Sequence, residues 1–414
     1  MPSASFNRLV AALVASTSAA PVVTTNAIVA NRLQIPTSSQ TGVALFTCQR
    51  QHTATGQGAV STMTFTDVHW FMSTASGTIQ TSIASTYTFR KWVEYPQGTF
   101  TPVLYSGAQT AQLDTTTRTI TSDALAINIP AGATWWEHTM NLTGVAAAHI
   151  ELPASASVIG ALDAKYTAAN NTTPAHQSAG QASTFMFGSV LITGTVTGAA
   201  AAKSVILFGD SIPWGAGDIT GVGALQSSGP WSRYFDSLGV GHFKFAVSSM
   251  QAQHMAAIIS SASATYAPLQ TQLQACNAIC FTTFGCNDLS LGSRTQAQLI
   301  ADLQTIQGSI TGKTWGVATL TARTSSSNSY ADVPGQTVKS DGTWSLLTAV
   351  NAAIRALPSG FSFVAEYADD VMTARDSGLW KAPPIVGFQP TTDGTHPTTS
   401  MAAYLATNLP AFLP

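Results

Sequence analysis

Two rhythms of apolar and polar residues run along the chain and change over near residue 200. From about Ala44 to Val196 apolar positions recur every second residue in short segments split by Gly, Pro, Ser and Thr. In TMTFT, Met63 and Phe65 alternate with threonines; in ALAINIPAG, Leu125, Ile127 and Ile129 precede a Pro-Ala-Gly turn. Similar segments lie at Tyr87 to Tyr95, Thr99 to Tyr105, Thr134 to Leu142, His149 to Leu152 and Ser189 to Val196. A period of two with turn residues between predicts many short strands and an all-β sandwich or jelly roll.

After the small-residue stretch GTVTGAAAAKS, Gly194 to Ser204, the pattern changes. Continuous apolar runs SVILF, FKFAV, AICFTTF, WGVATL and FSFVAEY alternate with helical stretches. In RTQAQLIADLQTIQGSI, Leu299, Leu303, Ile306 and Ile310 fall on one helical face. Strands buried on both faces and separated by helices predict a three-layer α/β domain around a parallel sheet. The expected division is a β-sandwich over 1–198 and an α/β domain over 199–414, two domains for 414 residues.

Charged residues make up only 9% of the chain, with 17 basic and 19 acidic residues, against roughly 25% in an average soluble protein. No Lys/Arg cluster offers a footprint for nucleic acid or an anionic membrane, and no apolar run reaches the roughly 18 residues of a spanning helix. Neither partner is expected. Residues 1–23 carry one basic residue, a short apolar stretch from Leu9 to Ala15 and small residues after it, the outline of a secretory signal with a minimal apolar centre. With the low charge and the Ser/Thr-rich first half, this suits an extracellular, surface or particle-borne protein. Cys48 stands alone, while Cys276, Cys280 and Cys286 cluster with no histidine nearby, so buried thiols or one local disulfide are expected rather than a metal site.

Candidate chemistry sits at strand ends. SVILF runs directly into Gly209-Asp210-Ser211, and sites in parallel sheets form at the carboxyl ends of strands. A serine is a weak nucleophile unless a base takes its proton and donors receive the oxyanion. Asp393-Gly-Thr-His396 near the C-terminus offers a carboxylate and an imidazole on one loop, with Pro397 suited to open a helix. FTTFGCNDLS ends another apolar strand in Gly285-Cys-Asn287-Asp, where the Asn287 amide can donate to an oxyanion and Gly285 permits close approach of substrate. Each piece alone is also ordinary turn chemistry; together they form one constellation.

GDS at 209–211, GCND at 285–288 and DGTH at 393–396, in order and each after its strand, resemble the SGNH hydrolases, also called GDSL-type esterases and lipases. The resemblance spans about residues 203–412. It implies a flavodoxin-like three-layer fold, Ser211 as nucleophile, His396 as general base and acid, Asp393 as its orienting carboxylate and Asn287 as an oxyanion donor, with no cofactor or metal. Two positions depart from the family pattern. Ser249, in SSMQAQ after FKFAV, stands where an oxyanion-hole glycine is usual, and its backbone N–H would serve with that of Ser211 if the residue accepts the backbone angles. Ile212 replaces the leucine of the GDSL motif, a volume-conserving change.

A sandwich ahead of such a domain resembles the arrangement in several bacterial carbohydrate esterases, and Thr119 to Trp135 resembles segments preceding the core of secreted SGNH esterases. Trp70, Trp92, Trp135 and Trp136 could stack on sugar rings, although filling a core is the commoner use of such residues. The chain contains no G-x-S-x-G elbow and no H-E-x-x-H, and His242 and His254 are expected to be structural. The expectation is a serine esterase removing short acyl groups such as acetate from a carbohydrate. The alternatives are a lipase or thioesterase for longer chains, and a catalytically silent glycan-binding surface protein. Oligomeric state is not legible.

Overall fold

The computed structural model describes residues 20–41, 46–73, 80–151, 164–167, 174–177, 185–218, 228–381, 388–409, 411, 413 and 414. The signal-like segment at 1–19 lies outside them. No described helix is long and apolar enough to cross a membrane.

The first half is built on two larger antiparallel sheets, flanked by a three-stranded sheet of Phe185–Met186, Ala146–Glu151 and Ser38–Thr41 and a ribbon of Trp70–Met72 with Gln80–Ser82. One has the order Val22–Ile28, Leu191–Gly198, Ala59–Val68, with Thr119–Thr121 and Leu125–Ile129 both pairing with the last of these. The other runs Thr110–Leu113, Tyr87–Glu94, Thr134–Asn141, Phe46–Thr53, Ala164–Thr167, with Phe100–Val103 also beside Tyr87–Glu94. Alternation aims Met63 and Phe65 inward from the first sheet and a register shift between Val60 and Thr62 lets Val60 join them; the Phe65 ring meets Trp135 of the second sheet edge-on at 6.4 Å. Trp70 and Trp135 are fully buried, Trp92 packs against Met140, and half-buried Trp136 faces the His176 ring. The aromatics proposed for sugar stacking are therefore mostly core, because the pleat turns them away from solvent.

Charge also enters this core, which the sequence pattern did not suggest. The Lys91 ammonium donates to Asp67 at 2.7 Å and to Glu137 and Ser189. Arg50 donates to Glu137 at 3.3 Å and to the Ser189 carbonyl at 3.0 Å. Burial pushes the Glu137 carboxyl up, but the Lys91 charge and the His52 bond overcome it and hold the group well below the usual carboxylate range. Removing one partner would leave an uncompensated buried charge.

The second half is built on a six-stranded parallel sheet in the order Leu33–Gln34, Gly241–Ala246, Ser204–Gly209, Ile279–Thr282, Trp315–Ala318, Phe363–Ala365. Leaving aside Leu33–Gln34, this is the flavodoxin-like order 2-1-3-4-5. Every residue of Ser204–Gly209 and Gly241–Ala246 is buried, as strands covered on both faces require. Helix Pro230–Ser237 packs against Thr399–Asn408, while Gln296–Gly308 packs against Ala252–Ser260 and Leu347–Arg355. Thr295 caps Gln296–Gly308 in a capping box with Gln298, and Leu299, Leu303 and Ile306 are its buried face; Ile310 is buried just past its end. The C-terminal helix starts at Thr399 with Thr398 as N-cap, so Pro397 precedes it rather than opening it.

The edge strand Leu33–Gln34 comes from the sandwich half of the chain, and GTVTG belongs to the strand Leu191–Gly198 rather than to a linker. Further backbone bonds cross the same seam: Ile35 N to Lys244 O at 2.9 Å, Gly56 N to Gly239 O at 2.8 Å and Asn277 N to Asn26 O at 2.8 Å. A β-carbon on Gly241 would run into the Ile28 carbonyl, so only glycine lets the two backbones approach this closely. All four cysteines are buried and none is in a disulfide; burial raises the thiols of Cys276, to about 12, and of Cys280 and Cys286. No group of His, Cys, Asp or Glu suited to a metal occurs among the described residues.

Candidate active site

The strand Ser204–Gly209 ends at the point where the sheet order reverses, between Gly241–Ala246 and Ile279–Thr282. The turn that follows is tight. A β-carbon on Gly209 would strike Pro213 and Thr283, and the Asp210 carboxylate caps the short helix Ser211–Trp214 by accepting from Ile212 N at 2.9 Å. Gly215, at φ 107°, closes that helix. Ser211 is thereby set on the first turn, its hydroxyl at the carboxyl edge of the sheet. Lys244 fixes the far side by donating to the carbonyls of Trp214 at 3.2 Å and Ser228 at 3.0 Å, and Arg233 holds Asp218 through two bonds of 2.6 and 2.8 Å.

His396 Nε2 lies 2.7 Å from Ser211 Oγ, and His396 Nδ1 lies 2.6 Å from Asp393 Oδ2. The network assigns the tautomer: Nδ1–H donates to the carboxylate, and Nε2 accepts from the serine hydroxyl. The other carboxylate oxygen accepts the backbone N–H groups of Thr395 at 2.8 Å and His396 at 2.9 Å. Burial pushes Asp393 up, but the His396 bonds outweigh it and leave the carboxyl well below its ordinary value. A carboxylate ionised across the working range keeps the imidazole oriented and compensates the charge it would acquire.

Asn287, on the short helix Cys286–Ser290 after the third strand, donates from Nδ2 to the Met250 carbonyl at 3.2 Å, which leaves its second amide hydrogen for another acceptor. Ser249 adopts φ 60°, the left-handed region that glycine usually fills, and it is exposed. The N–H groups of Ser211 and Ser249 have no backbone acceptor among the described residues. At Gly285, φ is 145° and the Leu320 side chain occupies the space a β-carbon would take, so this glycine serves backbone geometry and packing rather than an open approach.

Two acids of the quoted motifs, Asp288 and Asp210, were given no role by the sequence reading. Buried Asp288 accepts from the first amides of helix Ala252–Ser260, Ala252 N at 3.0 Å and Gln253 N at 3.4 Å, tying the Asn287 loop to the segment after Ser249; burial raises it to about 7. Burial likewise raises Asp210 to about 6. Gly217 and Gly394 were also missed, although Gly394 stands inside the Asp-x-x-His motif itself. His242 is buried against the Val240 carbonyl and His254 completes the cap of helix Ala252–Ser260, both structural as expected.

Neither a family model nor a curated protein matches the sequence. Solved structures do. A lipolytic protein of the G-D-S-L family from Veillonella parvula is 17% identical over 50% of this chain and 98% of its own, with a TM-score of 0.34. A lipase/acylhydrolase from Enterococcus faecalis is 17% identical over 50% of this chain and 92% of its own, with a TM-score of 0.33. A carbohydrate esterase family 2 enzyme with a carbohydrate-binding domain, from Corynascus thermopiles (Myceliophthora fergusii), is 13% identical over 93% of this chain and 96% of its own, with a TM-score of 0.35. The solved structures to which this chain is similar thus include GDSL-type lipolytic proteins and a carbohydrate esterase.

Proposed function

We propose that the protein is a serine esterase of the SGNH type that hydrolyses short acyl esters, acetyl above all, carried on a carbohydrate. The observation that carries the reading is the unbroken run from Ser211 Oγ through His396 to Asp393, with bonds of 2.7 and 2.6 Å, at the sheet's switch point. His396 Nε2 takes the hydroxyl proton as Ser211 Oγ forms a bond to the ester carbonyl carbon. The amides of Ser211 and Ser249 and the free hydrogen of Asn287 receive the oxyanion. Collapse expels the alcohol, which takes the proton back from Nε2–H and leaves the acyl group on Ser211. Water then gives its proton to His396 and attacks the acyl carbon; the acid leaves and the serine is restored.

The carbohydrate part rests on the preceding sandwich. Its strand order, Val22–Ile28 beside Leu191–Gly198 beside Ala59–Val68 and Phe46–Thr53 beside Thr134–Asn141 beside Tyr87–Glu94, supports a jelly roll as the first domain. A purely glycan-binding role would need no ordered Ser-His-Asp run.

The test is hydrolysis of p-nitrophenyl esters from acetyl to dodecanoyl, by wild type and Ser211→Ala. Turnover fastest on acetyl and abolished in the variant is expected. A long-chain optimum would replace this reading with a lipase, and activity surviving in Ser211→Ala would remove the nucleophile.

A further inference from the structure

We infer that Trp380 is a positioning residue for the His396–Asp393 pair, acting through the carbonyl of Gly394; the inference rests on the Ser-His-Asp reading above. Asp393 is half-exposed, and an exposed ion pair is by itself a weak device for holding a ring in one orientation. The order of the loop has to come from beneath it. Gly394, the residue after Asp393, has the most constrained backbone of the turn. Its carbonyl accepts both Thr324 N and the Trp380 indole Nε1–H, each at 2.9 Å, and its own N–H donates to Thr391 Oγ1 at 2.9 Å. At φ 82°, a β-carbon there would run into the Thr324 carbonyl.

Trp380 is fully buried, and it is clamped in turn. Gln336 accepts its backbone N–H at 2.8 Å and donates to its carbonyl at 3.0 Å. The chain of contacts runs from the hairpin strand Gln336–Val338 to the indole, to the Gly394 carbonyl and so to the loop whose next amides, Thr395 and His396, grip the Asp393 carboxylate. No part of Trp380 bonds to Ser211, His396 or Asp393, so its effect on the reaction is through geometry alone.

The experiment is a double-mutant cycle on the full-length chain with p-nitrophenyl acetate: wild type, Trp380→Phe, Asp393→Asn and the pair. Phenylalanine keeps one aromatic ring and deletes the indole N–H donor. Trp380→Phe is expected to lower kcat about tenfold or more with KM within about twofold, as when interactions made only in the transition state are weakened. In the Asp393→Asn background the same change should alter kcat by less than about twofold, because the pair it positions is already broken. Unchanged kcat, or the same fold loss in both backgrounds, would overturn the inference. Should Trp380→Phe fail to fold, Gln336→Met loosens the same brace and is read by the same cycle. Should wild type hydrolyse no ester, the esterase reading fails, and the brace is still read from the low-field proton resonance of His396 Nδ1–H. That proton should exchange faster with water in Trp380→Phe than in wild type, and equal exchange would overturn the inference.

Discussion

Gly217 lies against His396: a β-carbon added to the glycine would stand 2.9 Å from His396 Cβ and 2.6 Å from the Pro397 carbonyl. The loop leaving helix Ser211–Trp214 and the loop carrying His396 therefore share one surface, and the first sets how close the second comes. Gly217 is also at φ 85°, so any side chain there is strained as well as crowded. Gly217→Ala should move the imidazole away from Ser211 and lower kcat ten- to a hundredfold. Steady-state kinetics beside a thermal melt checks this; a loss matched by unfolding would place the effect in stability instead.

Asn287 holds the Met250 carbonyl with one amide hydrogen. If the other serves the oxyanion, Asn287→Ala should lower kcat by roughly 10²–10³, the usual worth of one such donor. An unchanged kcat would take Asn287 out of the hole and leave it as a tie to the Ser249 loop.

Two buried charges give stability a dependence on pH with opposite signs. Burial raises Asp288 to about 7 from its ordinary 3.8, so the folded state is penalised for ionising it. That penalty is absent below about 3.8, grows as pH rises, and is complete above about 7. Burial lowers Lys244 to about 8 from 10.5, so its penalty is complete below about 8 and relieved as pH rises toward 10.5. Melting temperature measured from pH 4 to 10 should show a smaller fall between about pH 4 and 7 in Asp288→Asn, and a smaller rise above about pH 8 in Lys244→Met, than in wild type.

The seam between the halves is made of backbone, and Gly241 is its closest approach. Gly241→Val should separate the edge strand Leu33–Gln34 from the sheet and lower the melting temperature by well over the roughly 2–4 °C that 1 kcal/mol represents in a chain of 150–250 residues. Wild type is expected to unfold in one calorimetric transition. Two resolved transitions would mean that the sandwich and the α/β part melt independently.

What could be read from the sequence was what is written locally. Continuous apolar runs gave the central strands; Ser211 and Asn287 stood out as candidates shortly after Ser204–Gly209 and Ile279–Thr282, whereas Asp393 and His396 were legible only from their Asp-x-x-His spacing, in a loop that no described strand precedes directly. Ser249, which stands where the resemblance has glycine, is in the left-handed backbone region that glycine usually fills. The rest depends on partners far away in the chain. Leu33–Gln34 is two residues long, and nothing in it points to Gly241–Ala246 some two hundred positions on. Trp380 reads as one more core aromatic until its indole N–H is seen on Gly394. Lys91 and Glu137 occupy alternating positions that the period-two rule fills with apolar residues, and only their mutual pairing explains the exception. Asp288 follows Asn287 in sequence, but its partners are the first amides of another helix.

The edge strand Leu33–Gln34 also sets an order of events at the ribosome. It emerges early, yet its partner Gly241–Ala246 follows only after the whole sandwich sequence has been made. Contacts of such long sequence separation form late. Until then the strand is an unpaired edge on a nascent chain, a surface that invites chaperones or mispairing. His396 is later still, reaching Ser211 across 185 positions. A ribosome stalled before that loop would hold Ser211 without the imidazole that faces it, so the contact between them can form only once both ends of that span have been made.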